Sequence, residues 1–321
     1  MESSAESSPV NQFAAHPRHW RDNRYVYPVC SRRAGGISIG INLNLDLRCT
    51  FNCVYCQVDR TGTVPLVGGP ERGGQSPFPP TAAEMGTVPG RDAIWPVDLE
   101  TVRAELAAML SAAASGELLA EPEFASLPAP LRRINDVAFS GDGEPTGCPQ
   151  FAEAAELVEQ AVAAAGLDIC RVLITNGSLL HLDFVRRGLE SLHRSRGEIW
   201  VKLDAGSDDH FRRIARTGVP FSRIMENLTW SAQHWPIVIQ SCFMQLDGQG
   251  LEPAEIGAYC DRLAEIRAAG GKISRVQIYT VARPPAEDFV TPLPATEVDA
   301  IVSAVKTRLP EILVQPFYGP G

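Results

Sequence analysis

Short runs of β-branched and aliphatic residues alternate along this chain with longer stretches whose apolar positions recur at helical spacing. The short runs predict strands over Gly36 to Asn44, Ile134 to Ser140, Ile169 to Thr175, Glu198 to Asp204, Pro236 to Met244 and Ile273 to Val281. Between them, helices are expected over Asp98 to Ala114, Pro149 to Ala165, His181 to His193, Asp208 to Arg216 with Ser222 to Ser231, and Pro253 to Ala269. A last helix is expected over Ala295 to Arg308. Parallel strands cannot be joined by tight turns, so strand and helix in strict alternation predict an α/β fold with a parallel sheet of six βα units, arranged as an open or closed barrel. In such folds reactive groups gather where the strands end and the βα loops converge.

Thr61 to Asp92 breaks the rhythm: it is dense in Gly and Pro and poor in apolar residues, which predicts a mobile surface insertion. The expected organisation is an N-terminal extension over 1–35, a core domain over 36–285 that carries this insertion, and a C-terminal helix and tail over 286–321. Phe13 to Arg21 is rich in basic and aromatic residues, and its His16 and His19 read as surface or capping residues rather than metal ligands.

Composition narrows the functional classes. No run approaches the ~18 apolar residues of a membrane helix, so no membrane partner is expected. The polar, Ser-rich start from Met1 to Gln12 lacks the features of a secretory signal, and a cytoplasmic location is the expectation. The formal net charge of -9 opposes nucleic-acid binding unless a local basic groove overcomes it. Eight cysteines do not form a disulfide framework: Cys30, Cys148, Cys170, Cys242 and Cys260 are scattered, while Cys49, Cys53 and Cys56 form one tight group.

That group follows the first strand candidate directly. Three thiolates on a short loop can cap three irons of a [4Fe-4S] cubane, leaving the fourth iron open to a small molecule. The same spacing also lines one face of a helix, where cysteines would be core residues, and a structural zinc site would require a fourth protein ligand.

The residues Cys49, Cys53, Tyr55 and Cys56 match CxxxCxΦC, where Φ is aromatic, and the chain thereby resembles the radical S-adenosylmethionine superfamily. The resemblance spans roughly Gly36 to Pro285 and, with the strand order, implies a partial (β/α)6, TIM-like barrel with parallel strands. It implies S-adenosylmethionine bound to the open iron and reductively cleaved to a 5'-deoxyadenosyl radical that abstracts hydrogen from a substrate. It also implies an electron donor such as flavodoxin or ferredoxin. The segment Phe139-Ser140-Gly141-Asp142-Gly143-Glu144-Pro145-Thr146 is similar to the family's GGE element, in the variant associated with wybutosine synthase-like Fe-S oxidoreductases. Its glycines allow close backbone approach, and Glu144 offers a carboxylate to the ammonium of the cofactor.

By the same resemblance Tyr55, Gly141, Asp142, Gly143, Glu144, Asn176, Lys202, Asp204, Gln240 and Ser241 are cofactor-binding candidates. Lys202 would face the cofactor carboxylate and Asp204 the ribose hydroxyls, although the two also form a plausible structural ion pair. Asn176 equally suits a turn, and Gln240 a satisfied core amide. The sixth strand candidate would border the adenine, and Arg283, before Pro284 and Pro285, equally suits an exposed polar anchor or a solvated surface arginine. No second cysteine cluster follows the barrel, which disfavours the additional-cluster subfamilies. The substrate is not legible, and tRNA modification of the wybutosine type, activation of a glycyl-radical enzyme and non-catalytic electron transfer stand as alternatives.

Overall fold

The computed structural model describes residues 20–58 and 96–319; the expected insertion at Thr61 to Asp92, together with His16 and His19, lies outside them. In chain order the elements are β1 (Val26–Ser31), β2 (Gly36–Ile41), α1 (Leu99–Ser115), α2 (Glu117–Ala120), α3 (Pro122–Ala125), β3 (Ile134–Phe139), α4 (Phe151–Ala164), β4 (Cys170–Thr175) and α5 (Asp183–Leu192). There follow β5 (Gly197–Lys202), α6 (Asp208–Ala215), α7 (Phe221–His234), β6 (Ile237–Leu246), α8 (Pro253–Ala268), β7 (Ile273–Thr280), β8 (Val290–Pro292), α9 (Ala295–Arg308) and β9 (Leu313–Phe317). No helix among them is long and apolar enough to cross a membrane.

Strands β2 to β7 pair in sequence order, all parallel, and this is the expected six-stranded unit. The sheet curls as a half-barrel that β1 and β9 terminate at its two edges. Three strands were not expected. β1 joins β2 antiparallel, β9 joins β7 in parallel, and β8 adds an antiparallel extension to β6. Both edge strands contain proline, Pro28 and Pro316, which cannot donate to a ladder and is tolerated where a strand has one neighbour. Helix ends are set locally: Asp98 caps α1 by accepting from the Glu100 and Thr101 amides at 3.1 Å, and Gly116 closes it at φ 81°.

Alternation along each strand separates two environments. Ile37, Ile39, Val137, Phe139, Leu173, Ile199, Val201 and Ile239 face the helices and form the main core. The inner face carries a small apolar layer of Ala138, Val172, Trp200 and Val238. Polar residues share that inner face, with Ser38 beside Asp136, Lys202 beside Gln240, and Gln240 beside Gln277. The turn between β1 and β2 reaches across the foot of the half-barrel: Ala34 packs on the inner apolar layer, and the Gln277 amide donates to the Arg33 carbonyl at 3.3 Å. The Arg33 guanidinium lies 4.3 Å from the Tyr279 ring centroid.

Candidate functional site

The chain leaves β2 at Ile41 and runs across the mouth of the half-barrel through Asn42 to Cys56. Several anchors hold this loop. The Asn52 and Val54 amides donate to the carbonyls of Ala215 and Ile214 at the end of α6, at 3.0 and 2.9 Å. Phe51 packs edge-on against Phe211, and Thr217 donates to the Thr50 carbonyl at 2.7 Å. Cys53 and Cys56 share a turn closed by the Cys56 amide on the Cys53 carbonyl at 2.9 Å. All three cysteines are partly buried and none is in a disulfide.

Burial, reinforced by the neighbouring Cys49 and Cys56, pushes the Cys53 thiol well above its ordinary range. Crowded sulfurs of one sign are unfavourable as thiolates until a cation neutralises them, so this loop fits an iron-sulfur group. Asn176 adds a donor, its side-chain amide lying 3.7 Å from Cys49 Sγ. No group of three His, Cys, Asp or Glu side chains among the described residues is assembled to hold a single metal ion. A cubane makes a different demand, because each thiolate binds its own iron.

The glycine loop after β3 lies on this cysteine loop. The Glu144 amide donates to the Arg48 carbonyl at 3.3 Å, and a Cβ on Gly143 would sit 1.9 Å from that same oxygen. Gly141 adopts φ 152°, where a Cβ would meet Asn42 Oδ1 at 2.4 Å. Asn42 fixes Asp142 reciprocally, donating to Asp142 Oδ2 at 2.6 Å and accepting from its amide at 3.3 Å.

Glu144 is differently employed from the expectation. Only 2% exposed, it accepts from Thr146 Oγ1 at 2.5 Å, the Thr146 amide at 3.2 Å, Thr175 Oγ1 at 2.6 Å and the Asn176 amide at 2.8 Å. Burial raises its pKa, against the lowering effect of these donors. The carboxylate therefore ties the glycine loop to the end of β4, and a ligand ammonium would have to share Oε2 with the Asn176 amide. Asn176 continues the connection by donating to Thr50 Oγ1 at 2.7 Å, so it joins the two loops instead of merely closing a turn.

Lys202 and Asp204 are paired with each other at 2.9 Å, with side chains 13% and 9% exposed. Tyr55 donates to Asp204 Oδ2 at 2.5 Å, the Cys242 amide donates to Oδ1 at 2.7 Å, and Lys202 donates to the Tyr279 hydroxyl. Lys202 also lies 5.0 and 4.6 Å from the ring centroids of Tyr55 and Tyr279. Burial favours a neutral lysine, but Asp204, Tyr279 and Cys242 outweigh it and hold the ammonium charged. In this arrangement the two side chains neutralise one another, and contact with a ligand would require exchange of partners.

Gln240 is fully buried, donates to Gln277 Oε1 at 2.8 Å and has no donor on its own Oε1 among the described residues. Ser241 is turned to the opposite face of the sheet, where it donates to the Leu203 carbonyl and meets the Tyr259 hydroxyl of α8, both at 2.6 Å. Neighbours on a strand point to opposite faces, so Gln240 and Ser241 cannot both face the barrel interior. Ser241 thus lies on the helix-facing side of the sheet, outside the cavity lining.

A cavity of about 350 Å³ fills the interior. Tyr55, Cys56, Gly141, Gly143 and Arg283 border it, and a smaller recess beside it is lined by Cys53, Tyr55, Lys202 and Asp204. Arg283 bonds Gln57 at 2.8 Å. Residues absent from the sequence-based set include Asn42, Thr50, Thr175 and Tyr279. Period two along β7 places Tyr279 on the face of Gln277 and was a usable signal; the contacts of the other three depend on loop packing.

No protein-family model matches this chain, and no curated protein matches it in sequence. Among solved structures, a radical SAM methyltransferase from Sphaerobacter thermophilus aligns with a TM-score of 0.56 and 14% identity over 92% of this chain and 70% of that one. Archaeal TYW1 aligns with a TM-score of 0.41 and 12% identity over 86% and 72%, too distant to support an argument. The first likeness establishes the architecture: the chain has the curled, mostly parallel half-barrel of that radical SAM structure.

Proposed function

We propose that this protein is a radical S-adenosylmethionine enzyme in which Cys49, Cys53 and Cys56 hold a [4Fe-4S] cluster. The observation that carries the reading is the stacking of two motif loops at one mouth, with the glycine loop resting on the carbonyl of Arg48 immediately before Cys49. When bound, the cluster and S-adenosylmethionine supply reductive cleavage of the sulfonium and a carbon-centred radical for hydrogen abstraction. The chain's own residues orient and enclose. Asn176 offers an N–H to Cys49, Gly141 and Gly143 let the backbone come close to a ligand, and the inner apolar layer supplies apolar walls to the cavity.

The test is anaerobic reconstitution of the wild type and of the triple variant Cys49→Ala, Cys53→Ala, Cys56→Ala. The wild type should take up about four irons and four sulfides per chain and release 5'-deoxyadenosine from S-adenosylmethionine under reduction, and the variant should do neither. A cluster without 5'-deoxyadenosine would favour electron transfer. A full cluster in the triple variant would remove the ligand assignment.

A further inference from the structure

The inner end of the cavity holds a carboxylate that the mouth does not use. Asp136, on the inner face of β3, lines the cavity, is 3% exposed, and has no hydrogen-bond partner on Oδ1 among the described residues. A buried carboxylate without a full set of donors is costly, and each such group in a folded protein calls for an explanation. Structural need does not provide one here. Of the polar neighbours, the Ser38 hydroxyl on β2 favours its charge, while Glu198 on β5 opposes it.

Neighbouring groups show how Asp136 differs from the other inner-face carboxylate. Glu198 is held by Arg275 of β7 through contacts of 3.0 and 2.6 Å and by the Trp200 indole N–H at 2.7 Å. Among the described residues no cation pairs with Asp136 in this way. Cys170 of β4 lies alongside as a thiol, its pKa pushed up to about 12 by burial, Glu198 and Asp136. Arg32 and Arg33 line the same cavity, but Arg32 donates to the Tyr318 carbonyl at 2.7 Å and Arg33 lies over Tyr279.

Shape completes the case. Ala138, Val172, Ile174 and Trp200 form apolar walls between Asp136 and the mouth. Asp136 precedes Ser140 by four positions, so at roughly 3.3 Å per residue it lies about 13 Å below the loops. We propose that Asp136 anchors the substrate, accepting from a cationic nitrogen (ammonium, amidinium or guanidinium) carried on an apolar stem that reaches toward the cysteine loop. The inference rests on the radical-enzyme reading for the chemistry at the mouth, whereas the anchor is a property of the inner face.

n-Hexylammonium and 1-hexanol, alike in length and differing in charge, serve as probes by calorimetry at pH 7 on the anaerobically reconstituted full-length protein. The wild type should bind n-hexylammonium at least about tenfold more tightly than 1-hexanol, and Asp136→Asn should lose that preference. In parallel, the infrared C=O band of the protonated Asp136 acid, identified by its loss in Asp136→Asn or by selective labelling, should disappear as n-hexylammonium is added. Equal affinity for the two probes, or a preference retained in Asp136→Asn, overturns the anchor. If that variant does not fold, the wild-type calorimetry and the labelled band decide, and an acid band unchanged by n-hexylammonium overturns the proposal. Iron content and 5'-deoxyadenosine release are scored separately, so failure of the cluster reading is distinct from failure of the anchor.

Discussion

Replacing Glu144 tests whether that carboxylate holds the structure together before any ligand arrives. Its four donors are buried, and two are backbone amides, of Thr146 and Asn176, that cannot rotate toward other acceptors. Each buried donor left unpaired costs roughly 1–3 kcal/mol, whereas the two threonine hydroxyls can turn elsewhere. Removing a desolvated carboxylate returns part of this, so Glu144→Ala should destabilise the ligand-free protein by about 3–4 kcal/mol. Glu144→Gln keeps an acceptor at the Oε1 position but turns an NH2 toward the Asn176 amide, donor against donor. A loss of about 2 kcal/mol is expected. The assay is urea unfolding of the reduced, chelator-treated full-length chain, read as a shift in midpoint at constant slope. If Glu144→Ala leaves ligand-free stability within about 0.5 kcal/mol of wild type and lowers only S-adenosylmethionine affinity, the bracing role is wrong and the carboxylate is a ligand contact.

Asp136 should make stability depend on pH with a definite sign: burial raises its folded pKa from 3.8 to about 7, so the folded state binds more protons between those values and stability falls as pH rises through that window. The raised pKa corresponds to a loss on the order of 4 kcal/mol, so Asp136→Asn should flatten the pH profile and be more stable than wild type near pH 8; an unchanged slope in urea titrations refutes this. Gly143→Ala must displace the Arg48 carbonyl from 1.9 Å, and it should cost at least about 2 kcal/mol and impair cluster assembly, measured by iron content after anaerobic reconstitution. Ser241→Ala should cost about 1–2 kcal/mol through its lost contacts with Leu203 and Tyr259 while leaving S-adenosylmethionine affinity unchanged; weakened binding would return Ser241 to the site.

The sequence by itself determined the six parallel strands, their connecting helices and the location of the two motif loops. These are local properties: apolar periodicity selects strand or helix, and the strict alternation of the two leaves a parallel sheet as the simple solution. Edge strands β1 and β9 escaped because a proline in each interrupts the periodic signal that reveals central strands, and β8 because three residues are too few to show it. For the candidate site, residue type showed which side chains had suitable chemistry but not which partners they would meet. Lys202 and Asp204 are two positions apart, yet their closure on one another with Tyr55 and Tyr279 requires three separate segments to converge. Glu144 looked available for a ligand because its buried partners, Thr175 and Asn176, come from the next strand. Asp136 resembled any strand aspartate until curling of the sheet enclosed it with one oxygen unpaired among the described residues. Tertiary structure decided these points because hydrogen-bond satisfaction and desolvation depend on everything packed around a group, and most of those neighbours are distant in sequence.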